Sequence, residues 1–181
     1  MNLTILQPTT PQELQTVRVL FQEYVDALGI DLGFQNFAEE LAGLPGKYAP
    51  PTGCILLAEV DGQPAGVVAL RPLEGDTGEM KRLYVRSPFR KEGVGRALAE
   101  RIIQEAKRLG QRRIRLDTIA PIMGKAVALY RALGFEEIPP YCDNPVPGAV
   151  FMELRLAPDS GDLPSGLQSA SSSSTSSYQS E

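Results

Sequence analysis

The chain has 181 residues, 43% of them apolar and 22% charged, with a formal net charge of −4. That balance suits one globular domain with a real core, and no apolar run approaches the ~20 residues a membrane-spanning helix needs. Histidine is absent, which removes the base of Ser-His-Asp and Cys-His nucleophile systems and the usual histidine zinc sites.

Residues 2–7 read as a first strand. A helix follows with apolar residues Leu14, Val17, Phe21, Tyr24 and Leu28 spaced by threes and fours. Thr10 or Thr9 can cap it, Pro11 suits its first turn and Gly29 ends it. A weaker helix is expected over residues 34–41, then a long Gly/Pro loop through Gly43, Pro45, Gly46, Pro50, Pro51 and Gly53. Residues 54–60 and 65–70 are strands joined by Asp61-Gly62-Gln63-Pro64, a hairpin signal. Residues 79–85 form the next strand, 87–92 a loop, and 94–109 a helix with Val94, Leu98, Ile102, Ala106 and Leu109 on its apolar face, stopped by Gly110. A strand over 113–118, a helix over 122–133 ended by Gly134, and strands over 135–138 and 149–156 complete the domain. The order β-α-α-β-β-β-α-β-α-β-β predicts an α/β fold: one mixed sheet with helices on both faces. The domain is expected to span residues 1–156. Residues 157–181 are a Ser-rich tail, too poor in apolar residues to offset ordering entropy and expected to be disordered.

The two cysteines, Cys54 and Cys142, read as small buried or half-buried residues of a reducing compartment. The N-terminus lacks the basic segment and apolar run of a signal peptide, so a cytoplasmic location is expected. No Lys/Arg block covers a face, which argues against nucleic acid as a partner, and no membrane association is expected. A local basic cluster does exist at Lys81, Arg82, Arg86, Arg90, Lys91 and Arg96. It sits beside glycines and suits a small anionic ligand.

Arg90-Lys91-Glu92-Gly93-Val94-Gly95-Arg96 follows a strand and opens a helix. The first N–H groups of a helix lack internal partners, and its dipole makes that end electropositive. Gly93 and Gly95 leave the backbone open to a phosphate, and Arg90, Lys91 and Arg96 add charge. Residue types alone therefore describe a pyrophosphate cradle. A P-loop fails, because Gly124-Lys125 has Ile119 five positions before Gly124 and Ala126 after the lysine. A dinucleotide fingerprint fails because Leu98 stands where its third glycine belongs.

The stretch Arg90-Lys91-Glu92-Gly93-Val94-Gly95 resembles the Gln/Arg-x-x-Gly-x-Gly/Ala signature of the GCN5-related N-acetyltransferase (GNAT) superfamily. The resemblance spans roughly residues 4–154 and includes Glu79-Met80-Lys81-Arg82-Leu83-Tyr84-Val85 before the signature and Ala128-Leu129-Tyr130-Arg131-Ala132-Leu133-Gly134-Phe135 after it. It implies the GNAT fold and acetyl transfer from acetyl-CoA to a primary amine, with no metal. The main chain of Leu83, Tyr84 and Val85 would pair with the pantetheine arm. Arg90, Lys91, Glu92, Gly93, Val94, Gly95 and Arg96 would hold the pyrophosphate. Glu79, eleven positions before Arg90, falls where histone-acetylating members carry their base. Tyr130 falls where the family carries the acid that protonates the leaving thiolate. Met123 stands where many relatives carry Asn, so CoA must be held there without that side chain.

The acceptor is expected to be a small-molecule amine or amino acid, with Tyr24, Asp31, Tyr48, Arg71, Tyr141, Asp143 and Asn144 as candidates. A cationic amine favours Asp31 or Asp143, and an amino-acid carboxylate favours Arg71. Residues 141–148, with Pro145 and Pro147, would form a rim over the site. A homodimer accords with the family. Two other readings stay open: a CoA-binding sensor without turnover, and a lysine or N-terminal protein acetyltransferase.

Overall fold

The strand and helix patterns assemble around one sheet in a computed structural model that describes residues 1–157. The Ser-rich tail lies, Ala157 apart, outside the described residues. Seven strands, β1 (Leu3–Leu6), β2 (Cys54–Val60), β3 (Gln63–Pro72), β4 (Thr77–Val85), β5 (Arg113–Ile119), β6 (Glu136–Ile138) and β7 (Ala149–Arg155), run in the order β1-β2-β3-β4-β5-β7-β6. All neighbours are antiparallel except β4 and β5. Four helices cover the faces: α1 (Pro11–Leu28), α2 (Phe37–Ala42), α3 (Val94–Arg108) and α4 (Gly124–Ala132).

Strand parity sorts the core into two layers. Leu56, Ala58, Val68 and Leu70 pack with Leu98, Ile102 and Ala106 of α3 and Val127 and Tyr130 of α4. Ile55, Leu57, Val67 and Ala69 pack with Val17, Leu20 and Phe21 of α1 and Phe37 of α2. α1 starts on a reciprocal capping box. The Glu13 N–H donates to Thr10 Oγ1 at 3.2 Å, and the Thr10 N–H donates to the Glu13 carboxylate at 2.9 Å.

Several element boundaries differ from the sequence reading by one to three residues, and three of these shifts have a clear local reason. α2 begins at Phe37, because Asn36 adopts a left-handed conformation (φ 54°) that breaks the chain after a 3₁₀ turn over Gly33–Gln35. The β2–β3 hairpin is tighter than expected, with Asp61 and Gly62 both at positive φ between paired Val60 and Gln63. α4 begins at Gly124, since Ile122 and Met123 both donate to the Ile119 carbonyl in a turn and no side chain caps the helix.

Two irregularities of β4 shape the molecule's functional end. β4 pairs with β5 only over Thr77–Glu79, and β5 then runs along β7. From Met80 to Val85 the β5-facing edge of β4 is therefore open. On its other edge, Lys81 pairs with Ala69 and Tyr84 with Val67, so Arg82 and Leu83 face the single residue Val68 in a bulge. Arg82 takes the strain at φ 62°. The extra residue inverts the side-chain parity beyond it. Met80 lies in the α3 layer and Leu83 and Val85 pack against that same layer, whereas Tyr84 packs with α1.

Candidate active site

A cleft of about 820 Å³ opens where β4 and β5 part. Leu83, Tyr84 and Val85 form one wall, the glycines Gly93 and Gly95 with Arg90 and Arg96 form another, and Met123, Gly124, Lys125, Ala126 and Leu129 close it from α4. Gly93 is the N-cap of α3 at φ 76°, which turns the chain from the 3₁₀ turn Ser87–Phe89 into the helix. Val94 between the glycines is fully buried and anchors the turn to the core. A Cβ on Gly93 would meet nothing within 4 Å, and one on Gly95 would touch only Val85 at an ordinary 3.5 Å. The protein's own packing therefore leaves this backbone uncovered on the cleft side, as a cradle for phosphate requires. Arg90 donates from Nε to the Val85 carbonyl at 2.9 Å and lies over the Tyr84 ring, which fixes one cation at the end of the open edge.

The cleft narrows to a throat of about 30 Å³ lined by Tyr24, Leu28, Leu83 and Met123, which it shares with the cleft, and by Asp117, Tyr130 and Asn144. The Tyr130 ring is buried against Phe135. Its hydroxyl takes part in no side-chain hydrogen bond among the described residues, where Gln111 Oε1 is the one fully buried side-chain polar atom without a partner. The hydroxyl therefore opens on the throat. Burial raises its pKa above the usual tyrosine value, and Tyr24 and Asp117 push the same way. It stays protonated at neutral pH as an O–H donor.

Beyond the throat lies a second cleft of about 680 Å³. Gln35, Lys81 and Arg82 border both. Here a chain of ion pairs crosses the α1/α2 face of the sheet. Arg71 Nε donates to Glu79 Oε2 at 2.9 Å, Lys81 Nζ donates to Glu79 Oε1 at 3.3 Å, and Lys81 stands 3.6 Å from Asp117 Oδ1. Tyr141 donates its hydroxyl to Glu79 Oε1 at 3.3 Å. Asn144 and Gln35 donate to Asp117 Oδ2 at 2.9 and 3.4 Å. These bonds tie the segment after β6, and the turn before α2, over the parted strands.

Arg82 is the hub of a second network. It donates to Glu40 at 3.2 and 2.5 Å and to Gln35 at 2.9 Å, and its guanidinium lies over the rings of Tyr24 and Phe37. Tyr48 donates its hydroxyl to Glu40. Burial by itself would raise the Glu40 carboxyl, but the Arg82 pair overrides it and holds the group below the usual carboxylate range.

These two clefts, joined at an opened strand, accord with the comparisons with known proteins. Residues 17–135 match the model of the Acetyltransferase (GNAT) family. The chain belongs to the GNAT family. This GNAT acetyltransferase is 40% identical over 158 residues to an uncharacterised N-acetyltransferase of Schizosaccharomyces pombe, covering 86% of this chain and 96% of that one. It is 36% identical over 118 residues to the N-acetylaspartate synthetase of Danio rerio, covering 64% of this chain and 42% of that longer protein. Its fold matches that of the PaiA N-acetyltransferase of Thermoplasma acidophilum, solved in complex with coenzyme A, at a TM-score of 0.66 and 16% identity over 86% of this chain and all of the other. Acetyl-CoA is the co-substrate of this family, and the GNAT chain is an enzyme of the acetyltransferase class.

The sequence-derived site residues of the GNAT chain separate by place. Leu83, Tyr84, Val85, Arg90, Gly93, Gly95 and Arg96 line the first cleft. Lys91 and Glu92 are exposed outside its lining, and the Val94 side chain belongs to the core. Tyr130 and Asn144 reach the throat, and Tyr24 stands at its junction with the first cleft rather than in the second cleft. Glu79, Arg71, Tyr141 and Asp143 line the second cleft. Asp31 is not brought to either: its carboxylate accepts from the Gly33 N–H at 2.8 Å and shapes the turn before α2. Tyr48 is a core residue, 1% exposed. Sequence reasoning missed Asp117, Glu40 and Gln35. For Asp117 the signal was available, as it has the parity of Arg115 and opposes Ile114 and Leu116 in β5. No described helix is long and apolar enough to cross a membrane.

Proposed function

We propose that this enzyme moves the acetyl group of acetyl-CoA to the primary amine of a small molecule or amino acid by direct attack. The carrying observation is the continuity of two clefts across the open edge of β4, with the Tyr130 hydroxyl in the throat between them. In this reading the diphosphate rests on the turn through Gly93 and Gly95, with Arg90 and Arg96 neutralising charge. The unpaired main chain of Leu83, Tyr84 and Val85 holds the pantetheine arm, since amide groups on an open strand edge need partners. The acceptor enters from the Arg71–Tyr141 side. The acceptor's ammonium first passes a proton to Glu79, and the freed lone pair of the nitrogen bonds to the thioester carbonyl carbon. A carboxylate has about four lone-pair sites, and Arg71, Lys81 and Tyr141 occupy three, which leaves one for a water that relays the proton. The carbon–sulfur bond then breaks, Tyr130 donates its proton to the departing thiolate, and the surplus proton of the acylated nitrogen restores the tyrosine hydroxyl. The N-acetylaspartate synthetase relative supports an acceptor of amino-acid size.

The test is kinetic. Tyr130→Phe is expected to lower kcat by about 10²-fold or more while calorimetric CoA affinity stays unchanged. An unchanged kcat removes the acid role. Glu79→Gln is expected to flatten the rise of kcat/KM with pH and Glu79→Asp to restore part of it. A parallel profile in all three proteins removes the base role.

A further inference from the structure

The second cleft and throat are lined by Lys47, Arg71, Lys81 and Arg82 against Glu79, Asp117 and Asp143, and Glu40 pairs with Arg82 beside them. What distinguishes them is which atoms are already used. Arg82 spends Nε, Nη1 and Nη2 on Glu40 and Gln35. Glu79 accepts from three donors on its two oxygens. Lys81 sits between two carboxylates.

Lys47 and Asp143 are exposed at the rim; within the chain of pairs itself, Arg71 and Asp117 keep open valences, one at each end. Arg71 uses Nε on Glu79, while Nη1 and Nη2 bond to no group among the described residues, and its side chain is 27% exposed toward the cleft. A guanidinium with both terminal nitrogens free presents the fork that a carboxylate fits with two parallel hydrogen bonds. At the inner end, both donors to Asp117 use Oδ2. Oδ1 faces only Lys81, at 3.6 Å, beyond hydrogen-bond distance. The Asp117 side chain is 6% exposed and lines the throat beside Tyr130. Gln111 Oε1 is the one fully buried side-chain polar atom without a partner among the described residues, so Asp117 Oδ1 stays accessible from the throat, where an ammonium can donate to it.

We propose that the acceptor is a zwitterion, an amine that also carries a carboxylate, bound with the carboxylate on the Arg71 fork and the ammonium on Asp117 Oδ1 at the throat. The inference rests on the acetyltransferase reading above and adds the class and the direction of its acceptor. An ion-pair chain that ends in an open guanidinium fork on one side and an open carboxylate oxygen on the other selects a ligand of opposite polarity at both ends. It rejects amines that would leave the Arg71 fork empty, and carboxylates that would leave Asp117 unmet. Asp117 is then a binding and positioning residue that delivers the nitrogen to the thioester. Glu79 keeps its fixed place between the two ends.

The experiment uses matched pairs on the full chain: glycine, L-alanine, L-aspartate and L-phenylalanine against their α-amides, with 2-phenylethylamine as a carboxylate-free amine. Release of free CoA from acetyl-CoA gives turnover, and calorimetry of each compound into CoA-loaded protein gives binding without chemistry. At least one acid is expected to exceed its amide by tenfold or more in kcat/KM and to bind where the amide does not. Arg71→Gln should erase that preference through KM. Asp117→Asn should weaken acids and amides alike. Equal use of acids and amides, a preference that survives Arg71→Gln, or acids that bind no better than amides each overturns the proposal. CoA-loaded protein that binds an acid selectively yet consumes no acetyl-CoA upholds the inference and sinks the acetyl-transfer reading instead.

Discussion

The two clefts that meet at the parted strands are built by opposite means. The first cleft, proposed to hold CoA, relies on main chain: an unpaired strand edge, a left-handed glycine and a helix N-terminus, with cations that are largely exposed. The second cleft, proposed for the acceptor, relies on side chains drawn from β3, β4, β5, α2 and the segment after β6, joined by largely buried ion pairs. A surface made of backbone can serve one invariant ligand on many scaffolds, because every residue offers the same amides. A surface made of side chains can be rewritten residue by residue, which is where a change of acceptor belongs.

Mutations that damage one cleft and spare the other sharpen that contrast. The largest effect is expected from Glu40→Ala. It leaves the Arg82 guanidinium, whose side chain is 2% exposed, without its carboxylate, and stripping one partner from a buried pair costs about 3 kcal/mol or more. Thermal unfolding should show the loss, and acceptor-dependent turnover should fall with it. An effect confined to CoA affinity would reverse the contrast. The same pair sets a pH window. Glu40 is held below its ordinary value, so its stabilisation is complete above the unfolded value of about 4.3 and is lost as pH falls through the lower folded value. The Tm gap between the wild type and Glu40→Gln is therefore expected to shrink on acidification below about pH 4, and a constant gap would contradict the pair's role.

A smaller effect is expected from Gly93→Ala. The cleft has room for the methyl group, but a non-glycine residue at φ 76° costs about 1 kcal/mol. CoA affinity should drop severalfold, measured by calorimetry, with acceptor selectivity unchanged. The smallest concerns Cys142 at the acceptor rim. Cys142 is exposed rather than buried or half-buried as its sequence suggested, yet partial desolvation, with Asp117 and Glu79 adding to it, pushes its thiol up to about 11. At pH 8 its alkylation should run about two orders of magnitude slower than that of a free cysteine and accelerate toward pH 11. Rapid labelling at pH 8 would mean the carboxylates do not face it.

The same division explains what could be read in advance. The glycine turn, the strand before it and the helix faces are local, so spacing within about ten residues revealed them, and the element order held. The open edge of β4 carries no sequence mark of its own, because β5 leaves it only through its pairing with β7. The acceptor side was legible only in part. Arg71, Tyr141 and Asn144 reached the site because the segments that carry them fold over the parted strands, whereas Asp31 spends its carboxylate on a turn. Asp117 and Glu40 acquire meaning from Lys81 and Arg82, which are distant in the chain or displaced by the β4 bulge. Pairing across elements, unlike periodicity along one, leaves no local trace.

The central claim is that exposed main chain at the Gly93–Gly95 turn grips a diphosphate and thereby seats the thioester at the throat. Calorimetric titration of the purified chain with CoA and, separately, with pantetheine, which lacks the diphosphate, tests it most directly. The account predicts one CoA site per chain and an affinity for pantetheine at least tenfold weaker, a difference of about 1.4 kcal/mol or more. Equal affinities, or no heat with CoA, would contradict it.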